Sequence, residues 1–195
     1  MTDDGVTIRE ARPGEYEAVG ALTVAGYRTL GDDALDDYAA ELADVAGRAA
    51  ICPVAVASGG DGRLLGTVTY VPGPDSPLAE SERDGEAGFR MLAVAPDARG
   101  RGVGRLLVAW CVARARADGR SGLAILTRPT MVAAHRLYES LGFERDPERD
   151  WEYAPGRWLW ALALRFAPLS AHDPSDPGRP KSIAPRGRRR PPSPR

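Results

Sequence analysis

Arg99-Gly100-Arg101-Gly102-Val103-Gly104-Arg105 lies between an apolar stretch with strand character (89–94) and a longer one with helical character (103–117). Its three glycines strip side chains from the backbone where a strand turns into a helix. The first N–H groups of a helix have no acceptor within it and carry the positive end of its dipole. Such an entrance makes a seat for a phosphate-bearing ligand, and Arg99, Arg101 and Arg105 surround it with positive charge. Two common readings of a glycine-rich turn fail on spacing. A dinucleotide fingerprint runs G-x-G-x-x-G with an acid about 20 residues on; here the third glycine comes one residue early and Arg105 takes its place. A phosphate loop of the form G-x-x-x-x-G-K-S/T needs a lysine, and none follows Gly104.

The surrounding pattern alternates strands and helices. Downstream, Gly122-Leu123-Ala124-Ile125-Leu126-Thr127 reads as a short buried strand. Thr130 is placed to cap a helix over 131–141, with Ala134, Leu137, Tyr138 and Leu141 at helical spacing. Gly142 ends that helix and Phe143 re-enters the core. Upstream, Val6-Thr7-Ile8-Arg9 alternates as a first strand, and Pro13 opens a helix carrying Tyr16, Val19, Leu22, Thr23 and Gly26. Asp32 and Asp33 open a second helix with Leu35, Tyr38, Ala39, Leu42, Val45 and Ala46 on one face. Residues 50–57 and 64–70 read as strands around a glycine-rich turn, with Pro53 marking an edge position or a late start to pairing. Residues 151–153 and 157–166 read as a closing hairpin about Ala154-Pro155-Gly156.

The glycine turn fits Arg/Gln-x-x-Gly-x-Gly/Ala at Arg99, Gly102 and Gly104. About 30 residues later comes Ala134-His135-Arg136-Leu137-Tyr138-Glu139-Ser140-Leu141-Gly142-Phe143, a Leu-Tyr pair followed by a Gly-Phe pair. With these two motifs in this order, the chain resembles the GNAT superfamily of acyl-CoA-dependent N-acetyltransferases. The resemblance spans 5–166 and implies an α/β (α+β) fold: a mixed, mostly antiparallel central sheet, splayed near the phosphate turn and flanked by helices on both faces. One departure stands out. Many members carry an asparagine a turn or two before the tyrosine, and Met131 occupies that region here.

The resemblance also implies a site. Acetyl-CoA would be the co-substrate, its pyrophosphate held at Arg99, Gly100, Arg101, Gly102, Val103, Gly104 and Arg105. Backbone groups at Leu92, Ala93 and Val94 would receive the pantetheine arm and polarise the thioester carbonyl. Tyr138 takes the place of the family's general acid; a phenol stays protonated at neutral pH and can supply a proton to a departing thiolate. Glu86 is the carboxylate nearest the strand and the candidate base, with Glu82 and Glu80 in the loop before it. His135 falls one turn before Tyr138 but off its face, which suits a surface residue near the adenine. Cys111 shares an apolar face with Leu107 and Trp110, reading as core. That favours direct attack by a primary amine in a ternary complex over an acyl-cysteine route.

Composition bounds the rest. A chain of 195 residues, 43% hydrophobic, can bury a substantial core. Beyond Phe166 eight of the 17 prolines crowd into 168–194, so 167–195 is expected to be a disordered Pro/Arg-rich tail. The two cysteines are isolated and fit a reducing, cytoplasmic setting. With only two histidines they form no familiar ligand spacing, so no metal is expected. Neither a membrane-spanning run nor a leader pattern appears. The net charge of −1 hides an acidic front, eleven acids against four basic residues in 1–50, and a basic end, seven basic residues and no acid in 179–195. Without interleaved aromatics the basic end does not spell nucleic-acid recognition. The expected partners are acetyl-CoA and an amine acceptor, with a homodimer left open. Acids in the first two helices favour a cationic amine, and Phe89, Arg90 and Trp151 an aromatic or carboxylate-bearing one. Two other classes stay in view: a non-catalytic acyl-CoA sensor, which would not need Tyr138, and a nucleic-acid-associated protein acting through its tail.

Overall fold

The computed structural model describes residues 5–28 and 35–167. The start of the second helix at Asp32 and Asp33, and the tail from 168 onward, lie outside the described residues. Strands β1 (Thr7–Glu10), β2 (Val54–Ser58), β3 (Leu64–Val71) and β4 (Glu86–Val94) run antiparallel in sequence order. β5 (Gly122–Thr127) joins β4 in parallel, and β8 (Arg157–Arg165) joins β5 antiparallel. Short β6 (Glu144–Arg145) and hairpin strand β7 (Trp151–Ala154) both pair with β8. The sheet is therefore mixed with a single parallel step among the described residues.

Helices cover both faces, which is why β2 is buried along its whole length. On one side lie α1 (Tyr16–Arg28), α2 (Leu35–Ala43) and α3 (Val45–Ala49); Val19 and Val45 pack there on Val54 and Val56, and Leu42 on Met91. On the other side, α4 (Val103–Ala117) buries Val103, Leu107, Val108, Cys111 and Ala115, the three-and-four spacing of a single helical face. α5 (Val132–Glu139) adds Tyr138 to that same core, beside Phe89, Leu123 and Phe143.

Several local readings needed side-chain detail. The second helix breaks at Asp44, whose carboxylate accepts the Gly47 N–H at 2.8 Å and starts α3. Arg48 then reaches back: its Nη1 donates to the carbonyls of Glu41 (2.6 Å) and Leu42 (2.9 Å), groups the end of α2 leaves unpaired. Pro53 delays β2 to Val54, although its carbonyl still accepts the Tyr70 N–H at 2.9 Å. Met131, not Thr130, holds the cap position of α5, and no side chain caps it.

One departure from regularity shapes the site. β4 and β5 pair only at Glu86–Gly122, Ala87–Leu123 and Gly88–Ala124, while β5 stays paired to β8 as far as Thr127. From Phe89 onward β4 has lost its neighbour on that side. Its register with β3 also slips, from Thr69–Arg90 to Thr67–Ala93, so that Met91 and Leu92 together oppose Val68. This is a β-bulge. Met91 adopts φ 55°, a left-handed conformation that non-glycine residues rarely take.

Candidate active site

The glycines of the turn do different work. Gly100 (φ 73°) and Gly102 (φ 82°) lie in the left-handed region, and a Cβ built on either would meet nothing within 4 Å. The outer face of the turn is therefore open. Gly102 caps α4 without any side-chain hydrogen bond, leaving the first-turn N–H groups to point outward. Gly104 is helical instead, and a Cβ there would stand 3.2 Å from Leu137 Cδ2; its role is to let α5 approach α4. The arginines brace the surroundings. Arg105 donates to Ser140 Oγ at the end of α5 (2.8 Å), and Arg99 reaches the carbonyls of Val94 and Gly26 at 3.4 Å each. Arg99 and Arg101 have further interactions as well.

Backbone alternation separates Leu92, Ala93 and Val94, which the sequence treats alike. The Ala95 N–H donates to Leu65 O at 2.9 Å, so this antiparallel pair is a hydrogen-bonded one. Such pairs alternate, which turns Ala93, opposite Thr67, toward β3 as well. Val94, opposite Gly66, therefore directs its N–H and C=O to the unpaired edge, and Leu92 beside the bulge follows the same alternation. Of the three amides, those of Leu92 and Val94 are therefore on the open edge and that of Ala93 is on the β3 side.

Beside this edge opens a cavity of about 480 Å³. Tyr27 of α1 with Tyr38 and Glu41 of α2 form one wall, and Trp151, Tyr153 and Leu159 of the β7–β8 hairpin the other. Arg90, the bulge residue Met91, and Leu126 form the floor, with Glu80 entering from the preceding loop. Arg90 organises this end: its Nη2 lies 2.6 Å from Glu80, 3.6 Å from Glu41 and 3.3 Å from the Tyr38 hydroxyl. Burial raises the Glu80 pKa above its ordinary value; Arg90 partly offsets this, and Glu82 and Glu41 push it further up. Burial likewise pushes the Tyr27 phenol up to about 12. Glu82 is a loop anchor: its carboxylate accepts the N–H groups of Glu80 (2.7 Å) and Ser81 (3.0 Å).

Glu86, the carboxylate expected to act as base, does not line this cavity. It sits where β4 and β5 are still paired, held by both terminal nitrogens of Arg149 (2.5 and 3.0 Å) and by the Arg83 N–H (2.9 Å). Burial opposes its ionisation, but these hydrogen bonds outweigh burial and leave its pKa below the usual carboxylate value. Its geometry is that of a structural clamp. Tyr138 is 5% exposed, its ring against Phe89 (5.8 Å) and Phe143 (5.7 Å). Its hydroxyl makes no hydrogen bond among the described residues. Burial raises its pKa, and Tyr27 of the cavity wall lies near enough to add to that shift. His135 is corrected from a surface position: it stacks on Trp160 of β8 at 5.5 Å, with Nε2 buried and unpartnered. Cys111 is fully buried, and burial pushes its thiol up, away from nucleophilic character. No group of three or more metal-ligating side chains occurs among the described residues.

Sequence reasoning missed the Glu80–Arg90–Glu41 network as a unit. Its available signal was Arg90 itself, a charge inside the apolar run 87–94.

Residues 17–143 match the acetyltransferase (GNAT) family profile. No curated protein matches the chain. Among solved structures, a GNAT family acetyltransferase from Brucella melitensis, crystallised with acetyl-CoA, is similar at TM-score 0.58 and 23% identity, over 85% of this chain and 90% of that one. A GCN5-related N-acetyltransferase from Kribbella flavida gives TM-score 0.61 at 21% identity, over 85% and 100% of the two chains. A GNAT family acetyltransferase from Staphylococcus aureus gives 0.62 at 12% identity, over 80% and 98%. These likenesses concern the fold. With the family profile spanning well over half of its length, from α1 to Phe143, the chain belongs to the GNAT acetyltransferase family.

Proposed function

We propose that the protein transfers an acetyl group from acetyl-CoA to a primary amine by direct attack in a ternary complex. One observation carries this reading: the sheet opens after Gly88, so that the free edge of β4 runs from a carboxylate-bearing cavity to an uncapped helix entrance. That path suits a ligand with a diphosphate at one end, amides along its length and a reactive carbonyl at the other. The acetyl-CoA in the Brucella melitensis structure supports the same assignment. Acetyl-CoA supplies the acyl group as an activated thioester.

The chain's residues supply the rest. N–H groups of residues 102–105 hold the diphosphate, in space left open at Gly100 and Gly102. The N–H groups of Leu92 and Val94 bond the extended arm as a neighbouring strand would, and the one beside the bulge stabilises charge developing on the carbonyl oxygen. Glu80, raised in pKa by burial, takes the proton that the attacking nitrogen must lose. As the carbon–nitrogen bond forms and the carbon–sulfur bond breaks, Tyr138 gives its proton to the departing sulfur; its raised pKa keeps that proton in place at neutral pH. Cys111, sealed in the core, leaves no acyl-enzyme route.

The test is thiol release from acetyl-CoA across a panel of amines, with the wild type and Tyr138→Phe compared. Amine-dependent release is expected, falling about 100-fold in the variant, the scale of a lost general acid. If no amine raises release above background, the reading fails.

A further inference from the structure

We infer that the acceptor is a small primary amine on an aromatic or other apolar body. This deepens the acetyl-transfer reading and rests on it for the identity of the reacting group. A cavity of about 480 Å³ has the dimensions of a small-molecule site, not of a flat peptide surface. Its charges are uneven. At the end next to Met91, two carboxylates, Glu80 and Glu41, face the single guanidinium of Arg90, leaving one negative charge in excess. An incoming ammonium completes that set. An incoming carboxylate meets the reverse: it must displace Glu80 from Arg90 at 2.6 Å while standing beside Glu41. Like charges held together in a partly desolvated site are strongly disfavoured.

The walls define the body of the acceptor. Tyr27 and Tyr38 stand edge to face at 6.1 Å on the helical side, and Trp151 and Tyr153 line the hairpin side. Trp151 is 49% exposed, a large ring left in water that an apolar ligand would cover. Arg128 and Arg157 lie over the Tyr153 ring, at 6.0 and 5.7 Å, and have further interactions of their own. They line the same cavity and add positive charge to its hairpin side. The resulting slot, aromatic on both sides and acidic at its reacting end, fits an aralkylamine better than a short alkylamine.

Two probes separate these possibilities: 2-phenylethylamine and propylamine, each titrated calorimetrically into the full-length protein saturated with coenzyme A, then assayed for acetyl transfer. We expect 2-phenylethylamine to bind and react about tenfold better than propylamine, the scale of one good aromatic contact. Trp151→Ala, at a half-exposed position whose truncation spares the core, should reduce the preference over propylamine several-fold through KM, with kcat moving less. Acetyl transfer that favours propylamine overturns this inference and leaves the catalytic reading intact. A binding preference for 2-phenylethylamine without any turnover upholds the inference and removes the catalytic reading.

Discussion

Two glutamate–arginine pairs each have one member on β4, one pair where the sheet is closed and one where it has opened, and they behave in opposite ways. At the closed end Glu86 receives two bonds from Arg149 and one from a backbone N–H, and its pKa falls. At the open end Glu80 shares Arg90 with Glu41 and Tyr38, and its pKa rises. Both arginines are well buried, at 6% and 17% side-chain exposure, so burial alone does not separate the pairs. The difference lies in satisfaction. A carboxylate whose oxygens are all met by fixed donors becomes a strut, whereas one that shares its cation with a second carboxylate retains an affinity for protons.

The largest effect should come from the open end. Tyr138→Phe keeps the ring between Phe89 and Phe143, so kcat should fall about 100-fold with the melting temperature nearly unchanged; a drop below threefold would return Tyr138 to a packing role. The two glutamates then give a crossed result. Glu80→Gln should lower kcat/KM between about tenfold and 100-fold with little change in urea midpoint. Glu86→Gln should leave kcat within about twofold while costing about 2 kcal/mol of stability, because buried Arg149 loses one charged partner and keeps Asp146 (2.8 Å) and the Ser81 carbonyl (3.0 Å). The opposite crossing would break the comparison.

Both responses should grow as pH rises, but in different ranges, one above and one below the ordinary glutamate value. With Glu80 as the proposed base, kcat/KM should rise with pH through a value above the ordinary 4.5 of a glutamate, and Glu80→Gln should flatten that limb. Glu86 has a lowered folded-state pKa, so its stabilisation is complete above 4.5 and is lost as pH falls through the lowered value. The stability gap between wild type and Glu86→Gln should therefore close in acid, as read by urea unfolding across pH 2 to 7. The smallest effect belongs to the turn. Gly102→Ala should cost about 1 kcal/mol for a left-handed residue and raise KM for acetyl-CoA a few-fold.

Much of the architecture was legible because it rests on local pattern. The helix over 103–117, the strand at Gly122–Thr127, the helix-ending Gly142, the hairpin about Gly156, and the divergence of the sheet near the phosphate turn all follow from periodicity, glycine placement or family resemblance. What escaped depends on contacts far apart in sequence. Nothing near Glu86 announces Arg149, 63 residues away, as its partner. Nothing in the apolar run containing Met91 marks the bulge, because Leu42 and Tyr38, which pack on that residue, come from α2, about 50 residues earlier in the chain. The break at Asp44 had a visible capping residue, yet the apolar stripe continued through it and outvoted the cap.

Amide hydrogen exchange resolved by residue, with and without saturating acetyl-CoA, tests the central claim most directly. Slower exchange is expected at Leu92, at Val94 and over residues 102–105, with Ala93 unchanged because its N–H already faces β3. Saturating acetyl-CoA that leaves all of those amides unaltered, or that protects Ala93 while sparing its two neighbours, would contradict the account.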